Sequence, residues 1–316
     1  MAQPGLPILI AGPTATGKSE IALHLAVQVG GEIISADSMQ VYRGLDIGTA
    51  KPSSADRARV PHHLIDILSL AESFDAAQFA RLAHRTVAEI QSRGRVPILC
   101  GGTGLYFRAF LEGLGEAPPA DATLRAELEA LPLETLLAEL RERDPVTCEK
   151  IDQKNPRRVV RALEVIRLTG KPFSAQRAEW KTESRIQNPE SRYFCLTRSN
   201  SDLHARINAR VDSMFQRGLM DETRKLLKRG LAENKTAMQA IGYRQAVEHL
   251  RGERSLAETI ELVKIRTRQF AKRQLTWFRP QKHAEWIELQ PAESAEAVVE
   301  WLVERKLDSE AKNFGL

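Results

Sequence analysis

The segment Gly12-Pro13-Thr14-Ala15-Thr16-Gly17-Lys18-Ser19 constrains this chain more than any other, because it matches the phosphate-binding pattern G-x-x-x-x-G-K-[ST]. Such a loop has one place in a fold, between a buried strand and the helix that follows it. The apolar run Leu6 to Ala11 reads as the strand, and Ser19 to Val29, with Ile21, Ala22 and Leu25 on one stripe, reads as the helix. Gly12 and Gly17 let the backbone turn its N–H groups inward, while Lys18 and the helix N-terminus add positive potential. A phosphate or pyrophosphate is the expected ligand, cradled by residues 12 to 19. The loop alone does not say which phosphate ester it holds.

At 316 residues with 42% hydrophobic content, the chain is long enough to bury a core without staples. Cys100, Cys148 and Cys195 form no C-x-x-C pair, which suits a reducing compartment and reads as three buried thiols. No signal-type segment and no run near the roughly 18 apolar residues of a membrane span is present, so a cytoplasmic location is expected. The net charge of +5 is modest, so where the charge lies matters more than its sum.

A second strand, Glu32 to Ala36, ends in Asp37-Ser38-Met39-Gln40-Val41-Tyr42. In an open α/β sheet that edge lines the ligand crevice, and an aspartate there can bind magnesium, accept a proton or cap the next turn. The loop Asp46 to Pro52 places Lys51 close to the same edge. His62 to Ile67 reads as a third strand and Ser73 to Ser92 as a helix; the paired histidines have no companion carboxylate at metal-ligand spacing. Val96 to Cys100 gives a fourth strand, closed by Gly101-Gly102-Thr103-Gly104. In nucleotide-hydrolysing relatives of this loop an aspartate usually closes that strand and helps hold magnesium. Its replacement by cysteine and glycines points to transfer of the group attached to the phosphates.

From Pro118 the texture becomes polar, charged and helical in period, which marks an inserted helical subdomain over 119–190 between core segments 1–118 and 191–316. Within it, Asn155 to Glu164 starts a helix after Pro156 with Arg158 and Arg161 on one face, open to reading as a solvated basic face. Tyr193 to Leu196 returns to the sheet, Ser201 to Arg217 follows as a helix, and Ala284 to Leu289 is a final strand. Arg217 at that helix end is explained by the helix dipole alone. Between Leu262 and Lys282 every charged residue is basic: Lys264, Arg266, Arg268, Lys272, Arg273 and Arg279. An amphipathic basic helix with terminal aromatics suits a phosphate backbone, and membrane attachment or simple solubility is the alternative.

Taken together, GPTATGKS, Asp37 to Tyr42, DIGTAKP at 46–52, PHHLID at 61–66, GGTGLY at 101–106, NPRRVVRALE at 155–164, Arg217-Gly218-Leu219, AIGYRQ at 240–245 and KRQLTWFR at 272–279 resemble the tRNA dimethylallyltransferase family over nearly the whole chain. The resemblance implies an α/β fold: a P-loop NTPase-like parallel-sheet core, an inserted helical tRNA-binding subdomain and basic C-terminal helices. It implies dimethylallyl diphosphate as donor, Mg²⁺ as cofactor held through Ser19, and the exocyclic amine of an anticodon-loop adenosine as acceptor. Asp37 is then the base, Thr103 orients the reacting groups, and Lys18 and Arg217 meet the departing diphosphate. Gln40 with its neighbours Ser38 and Met39 would hold the flipped adenine, and Asp37 and Thr103 would contact the same tRNA. Arg125, Arg157, Arg158, Arg161, Gly242, Tyr243, Arg244, Lys272, Arg273, Gln274, Trp277 and Arg279 would grip the anticodon stem-loop. A monomer with no membrane contact is expected. Two other classes remain, an ATP-using small-molecule kinase, which leaves the basic helix without a purpose, and a non-catalytic RNA-binding module, which leaves Asp37 without one.

Overall fold

Apolar runs that are buried on both faces become interior strands. The computed structural model describes residues 6–113, 118–176, 192–281 and 283–304. In it β1 (Ile8–Ala11), β2 (Gly31–Ala36), β3 (His62–His63), β4 (Val96–Gly101), β5 (Arg192–Thr197) and β6 (Glu285–Glu288) form one parallel sheet in the order β3-β2-β4-β1-β5-β6. Register brings three carboxyl ends to one edge, with Ala11 beside Gly101 and Ala36 also beside Gly101. Only glycine fits there, since a Cβ on Gly101 would lie 2.2 Å from the Ala36 carbonyl oxygen. The expected third strand is much shorter than His62 to Ile67. Leu64 and Asp66 take left-handed φ of 59° and 56°, which no strand accommodates.

Helices α1 (Lys18–Val29), α2 (Ser54–Arg59), α3 (Ala76–Ser92) and α4 (Gly104–Glu112) follow in the first half. The third begins later than Ser73 because Asp75 caps it, accepting the Gln78 amide while the Gln78 side chain accepts the Asp75 amide. Residues alternate between the faces of the sheet, so Ile8, Ile10, Ile33, Ile98 and Phe194 meet Ile21 and Leu25 of α1.

The chain divides into two compact units, 1–110 with 188–316 and 111–187. The smaller holds α5 (Ala122–Glu129), α6 (Leu133–Arg143), α7 (Pro145–Lys150) and α8 (Pro156–Thr169), packed through Leu128, Leu136, Leu140, Val159 and Leu163. The larger resumes with α9 (Asn200–Gln216), α10 (Leu219–Leu227), α11 (Tyr243–Leu250), α12 (Leu256–Phe278) and α13 (Ala295–Leu302). Leu203, Ile207 and Val211 of α9 pack on Val263 and Ala271 of α12. Val298, Val299 and Leu302 of α13 join the α1 face of the sheet.

One buried carboxylate organises the smaller unit. Glu164, 0% exposed, accepts Arg125 and Arg161 at 2.6 Å each and the Asp121 amide at 3.0 Å. Arg161 also donates to the Pro118 carbonyl at 2.7 Å. Replacing Glu164 by alanine would leave two guanidiniums facing apolar volume, although both reach solvent. The expected loss is on the order of 2 kcal/mol, read as a lower denaturation midpoint and faster hydrogen exchange in α5 and α8.

Candidate active site

The loop after β1 folds as its glycines require. Gly12 has φ of 146°, and a Cβ there would stand 2.4 Å from the Leu196 carbonyl oxygen of β5; Gly17 has φ of 99° and Ala15 also lies in the left-handed region at 66°. Side chains from distant segments take up its carbonyls. Arg198 Nε donates to Thr16 O at 2.8 Å, Arg206 Nε to Ala15 O at 3.0 Å, and Lys18 Nζ to Pro13 O at 3.0 Å. Thr16 Oγ1 adds a bond to Pro13 O at 3.0 Å. With carbonyls held by these donors, the loop and the first turn of α1 offer N–H groups to an anion.

Asp37 follows β2 at the same edge. Its Oδ1 accepts the Met39 and Gln40 amides at 2.8 and 3.3 Å, and Oδ2 has no hydrogen bond among the described residues. Thr103 follows β4; its Oγ1 accepts the Ser38 amide at 3.1 Å, and its own amide donates to Ala36 O at 3.2 Å. Two strand ends are thereby stitched together beside the phosphate loop. Gln40 turns elsewhere. Its amide group donates to the Thr49 carbonyl at 3.2 Å and accepts from Ser35 Oγ at 2.8 Å, so it carries the 46–52 loop instead of presenting a free edge to a base. Met39 packs into the cluster formed by Val41, Tyr42 and Tyr243.

Charge in the crevice comes from three groups. Desolvation pushes the Lys18 ammonium below the usual lysine range; Arg210 lowers it further and Asp37 raises it. Arg210 on α9 is also lowered by desolvation and raised by Asp37, and its guanidinium makes no hydrogen bond or ion pair among the described residues. Sequence reasoning missed this arginine and chose Arg217. The structure does not bring Arg217 to the cluster: it is exposed, two turns further along, and closes α9 through its amide bond to Ser213 O at 2.9 Å. The available signal was spacing, because Arg206 and Arg210 are four apart and flank the Leu203-Ile207-Val211 stripe. The Cys100 and Cys195 thiols are pushed by burial to about 11 and about 12, which removes them as nucleophiles at neutral pH.

Several residues expected to touch RNA are interior. Tyr243 is 0% exposed; its hydroxyl accepts the Gly48 amide at 3.0 Å and donates to Glu222, whose oxygens both accept the Ile47 amide at 3.0 Å. Gly48 must be glycine, since a Cβ would meet the Tyr243 ring at 2.4 Å. Lys51 lies inside the same loop, its side chain 2% exposed and donating to Tyr42 O at 2.6 Å and Asp46 at 2.8 Å. Gln274 is 7% exposed and turned toward the phosphate loop. Arg125 and Arg161 are spent on Glu164, as described above. Lys264 is held by Asp212 and Glu261 at 2.9 Å each. Gly242, with φ of 101°, starts α11 and donates its amide to Gln245. Arg157, Arg158, Arg244, Lys272, Arg273 and Arg279 are exposed, Arg273 lying over the Phe270 ring at 5.7 Å, and Trp277 is half-buried against Gly104.

Among the described residues no three His, Cys, Asp or Glu side chains cluster as a metal site, and no helix is long and apolar enough to cross a membrane. His63 does find a carboxylate, Glu32 at 2.7 Å across β2, but Arg93 shares that carboxylate at 2.8 Å and neutralises it. Ser19 is exposed in the first turn of α1 and lines a cavity of about 260 Å³ with Gln40, Lys51, His62 and Cys100.

A family model described as IPP transferase matches residues 40–281. The chain is 48% identical over 285 residues to "tRNA dimethylallyltransferase 1" of Trichlorobacter lovleyi, covering 89% of this chain and 92% of that one. The crystal structure of a full-length tRNA isopentenylpyrophosphate transferase from Bacillus halodurans superposes with a TM-score of 0.69 at 39% identity, covering 98% of this chain and 99% of that one. A eukaryotic dimethylallyltransferase acting on tRNA gives a TM-score of 0.77 at 26% identity over 98% of this chain and 79% of that one. A phosphate loop with a cysteine where a hydrolase carries its aspartate, a carboxylate open on one oxygen beside it, and agreement along nearly the whole length lead to one assignment: the chain belongs to the IPP transferase family.

Proposed function

We propose that this protein transfers the dimethylallyl group of dimethylallyl diphosphate to the exocyclic amine of the adenosine next to the anticodon in tRNA, in the cytoplasm, and releases diphosphate. The observation that carries the reading is Asp37, anchored by two amides on Oδ1, open at Oδ2, and set in the same crevice as Lys18 and Arg210. The relatives are tRNA dimethylallyltransferases, which supplies the donor and acceptor classes.

An aryl amine is a poor nucleophile because its lone pair is delocalised into the ring. Its attack on the allylic carbon forms the C–N bond as the C–O bond breaks, and the electron pair of that bond leaves on the diphosphate oxygen. The amine proton goes to Asp37 Oδ2, the oxygen not already engaged. Lys18, Arg210 and the amides of the phosphate loop not already engaged within the protein meet charge that grows on the diphosphate, so their attraction is larger in the transition state than before it. Thr103, fixed by the Ser38 amide, holds the turn that carries Asp37. The adenosine must leave its stack to reach this edge.

Mg²⁺ fits the donor set as a substrate-borne ion. Ser19 offers a hydroxyl at the head of α1 and would hold the ion beside the diphosphate, the protein contributing no cluster of carboxylates of its own among the described residues. When bound, it supplies charge neutralisation to the diphosphate. The exposed cations on the outer side of α12, Lys272 and Arg273, suit the phosphates of the anticodon stem-loop.

Incubating the protein with unmodified tRNA, Mg²⁺ and dimethylallyl diphosphate, then digesting the RNA for mass spectrometry, is expected to yield prenylated adenosine. Bound tRNA without that product, together with consumption of ATP, would overturn the reading. In the same assay Asp37→Asn should lower kcat by about 10²- to 10⁴-fold with the tRNA dissociation constant within about threefold. Titration of inorganic pyrophosphate separates the two arginines: Arg210→Gln is expected to weaken binding at least about tenfold, the worth of a charge-assisted contact, and Arg217→Gln to stay within about twofold.

A further inference from the structure

Gln274 lies on α12, one position beyond the exposed pair Lys272 and Arg273, yet it points the opposite way. Its Oε1 accepts the Thr14 amide of the phosphate loop at 2.9 Å, across 260 residues of chain. Its Nε2 donates to the Gly102 carbonyl at 2.8 Å, the residue before Thr103. Both ends of one side-chain amide are therefore used, one on each of the two loops that frame the crevice. The fit is close enough that a Cβ on Gly102 would fall 2.3 Å from Gln274 Nε2. One turn later Trp277 covers Gly104, where a Cβ would meet the indole at 2.1 Å, and Phe278 meets Phe107 of α4 edge-on. The inner face of the last two turns of α12 is thus moulded to the Gly102–Gly104 turn, while its outer face carries the cations.

We infer that Gln274 is a positioning residue for the transfer: it holds the phosphate loop and the Thr103 turn in register, and fastens both to the helix whose outer side meets the tRNA. This inference rests on the function proposed above. Its physical basis is that Asp37 and the diphosphate sit on different loops, so the distance between base and leaving group depends on what spans those loops. Small errors in such a distance are costly, because near-attack geometry accounts for much of the rate. The Thr103 turn reaches Asp37 through Thr103 Oγ1 and the Ser38 amide, so the chain of contacts runs from Thr14 through Gln274, Gly102 and Thr103 to Ser38. Gln274 touches neither RNA nor the reacting atoms, being buried. Its orientation also takes the Thr14 N–H out of the set facing the anion and leaves the remaining amides of the cradle to bind it.

The test uses the full-length protein, with steady-state kinetics on tRNA and donor. Gln274→Met keeps the length and removes both hydrogen bonds. It is expected to lower kcat by about tenfold to a hundredfold while KM for tRNA stays within about threefold. Thr103→Val is expected to lower kcat as well. The double variant is expected to be no slower than the slower single variant within about threefold, because both changes break one chain of contacts; independent effects would multiply. Wild-type kcat in Gln274→Met, a loss confined to KM for tRNA, or multiplicative effects in the double variant would each overturn the inference. If Gln274→Met does not fold, Gln274→Glu is measured instead; it still accepts the Thr14 amide but has no proton for Gly102 O, and wild-type turnover in it would overturn the inference. The wild-type reaction run alongside keeps the two failures distinguishable: prenylation by the wild type with unchanged kcat in Gln274→Met overturns the positioning role alone, whereas no prenylation by the wild type overturns the proposed function and the positioning role with it.

Discussion

The rest of the structure depends on how the carbonyl groups of one loop are satisfied. A backbone can turn successive N–H groups toward an anion only if the carbonyls alternating with them find donors elsewhere. Here the donors are Arg198 on Thr16, Arg206 on Ala15 and Lys18 on Pro13, and Gln274 fastens the Thr14 amide. Three of those four residues come from the part of the chain after the smaller unit. The loop is a local motif in sequence and a tertiary object in space. This is why β5, α9 and α12 have to return to β1, and why Gly12 must pass within van der Waals contact of the Leu196 carbonyl.

Electrostatics then select what the crevice can do. Lys18 and Arg210 are both held in a desolvated crevice that disfavours their charged forms, an effect that the Asp37 carboxylate opposes at both. In the proposed reaction a diphosphate entering between them would supply the ion pairing that the protein alone does not provide, and a charge-assisted contact in low dielectric exceeds one in water. The strand that would supply a second carboxylate in a hydrolase ends in Cys100 and Gly101 instead. Asp37, with Oδ1 engaged and Oδ2 open, suits the proposed role of accepting a proton beside a leaving diphosphate.

Much of this was legible in the residues. The strand, loop and helix around Gly12 to Ser19, the aspartate after β2 and the threonine after β4 follow from local pattern, because period and turn chemistry act over a few residues. What local pattern could not assign was the direction in which a polar side chain points once helices pack. Tyr243 and Gln274 each stand next to an arginine and read as surface, yet Tyr243 binds Gly48 and Glu222, and Gln274 binds Thr14 and Gly102. Arg125 and Arg161 have their charge consumed by Glu164, which lies on the apolar stripe of its own helix and is invisible as their partner until the fold is known. Arg217 entered through the resemblance, as part of Arg217-Gly218-Leu219, while its place at a helix end needed only the dipole to explain it; the position of Arg210 toward the phosphate loop, seven residues earlier, is set by packing of α9 on α12.

The central claim is that the phosphate loop holds a diphosphate as a leaving group and not as a bond to be hydrolysed. Phosphorus-31 NMR of the protein with tRNA, Mg²⁺ and dimethylallyl diphosphate reads this directly. The account predicts that inorganic diphosphate accumulates one for one with prenylated adenosine, with no orthophosphate and with no loss of donor when tRNA is omitted. Orthophosphate as the main product, or donor consumed at the same rate without tRNA, would contradict it.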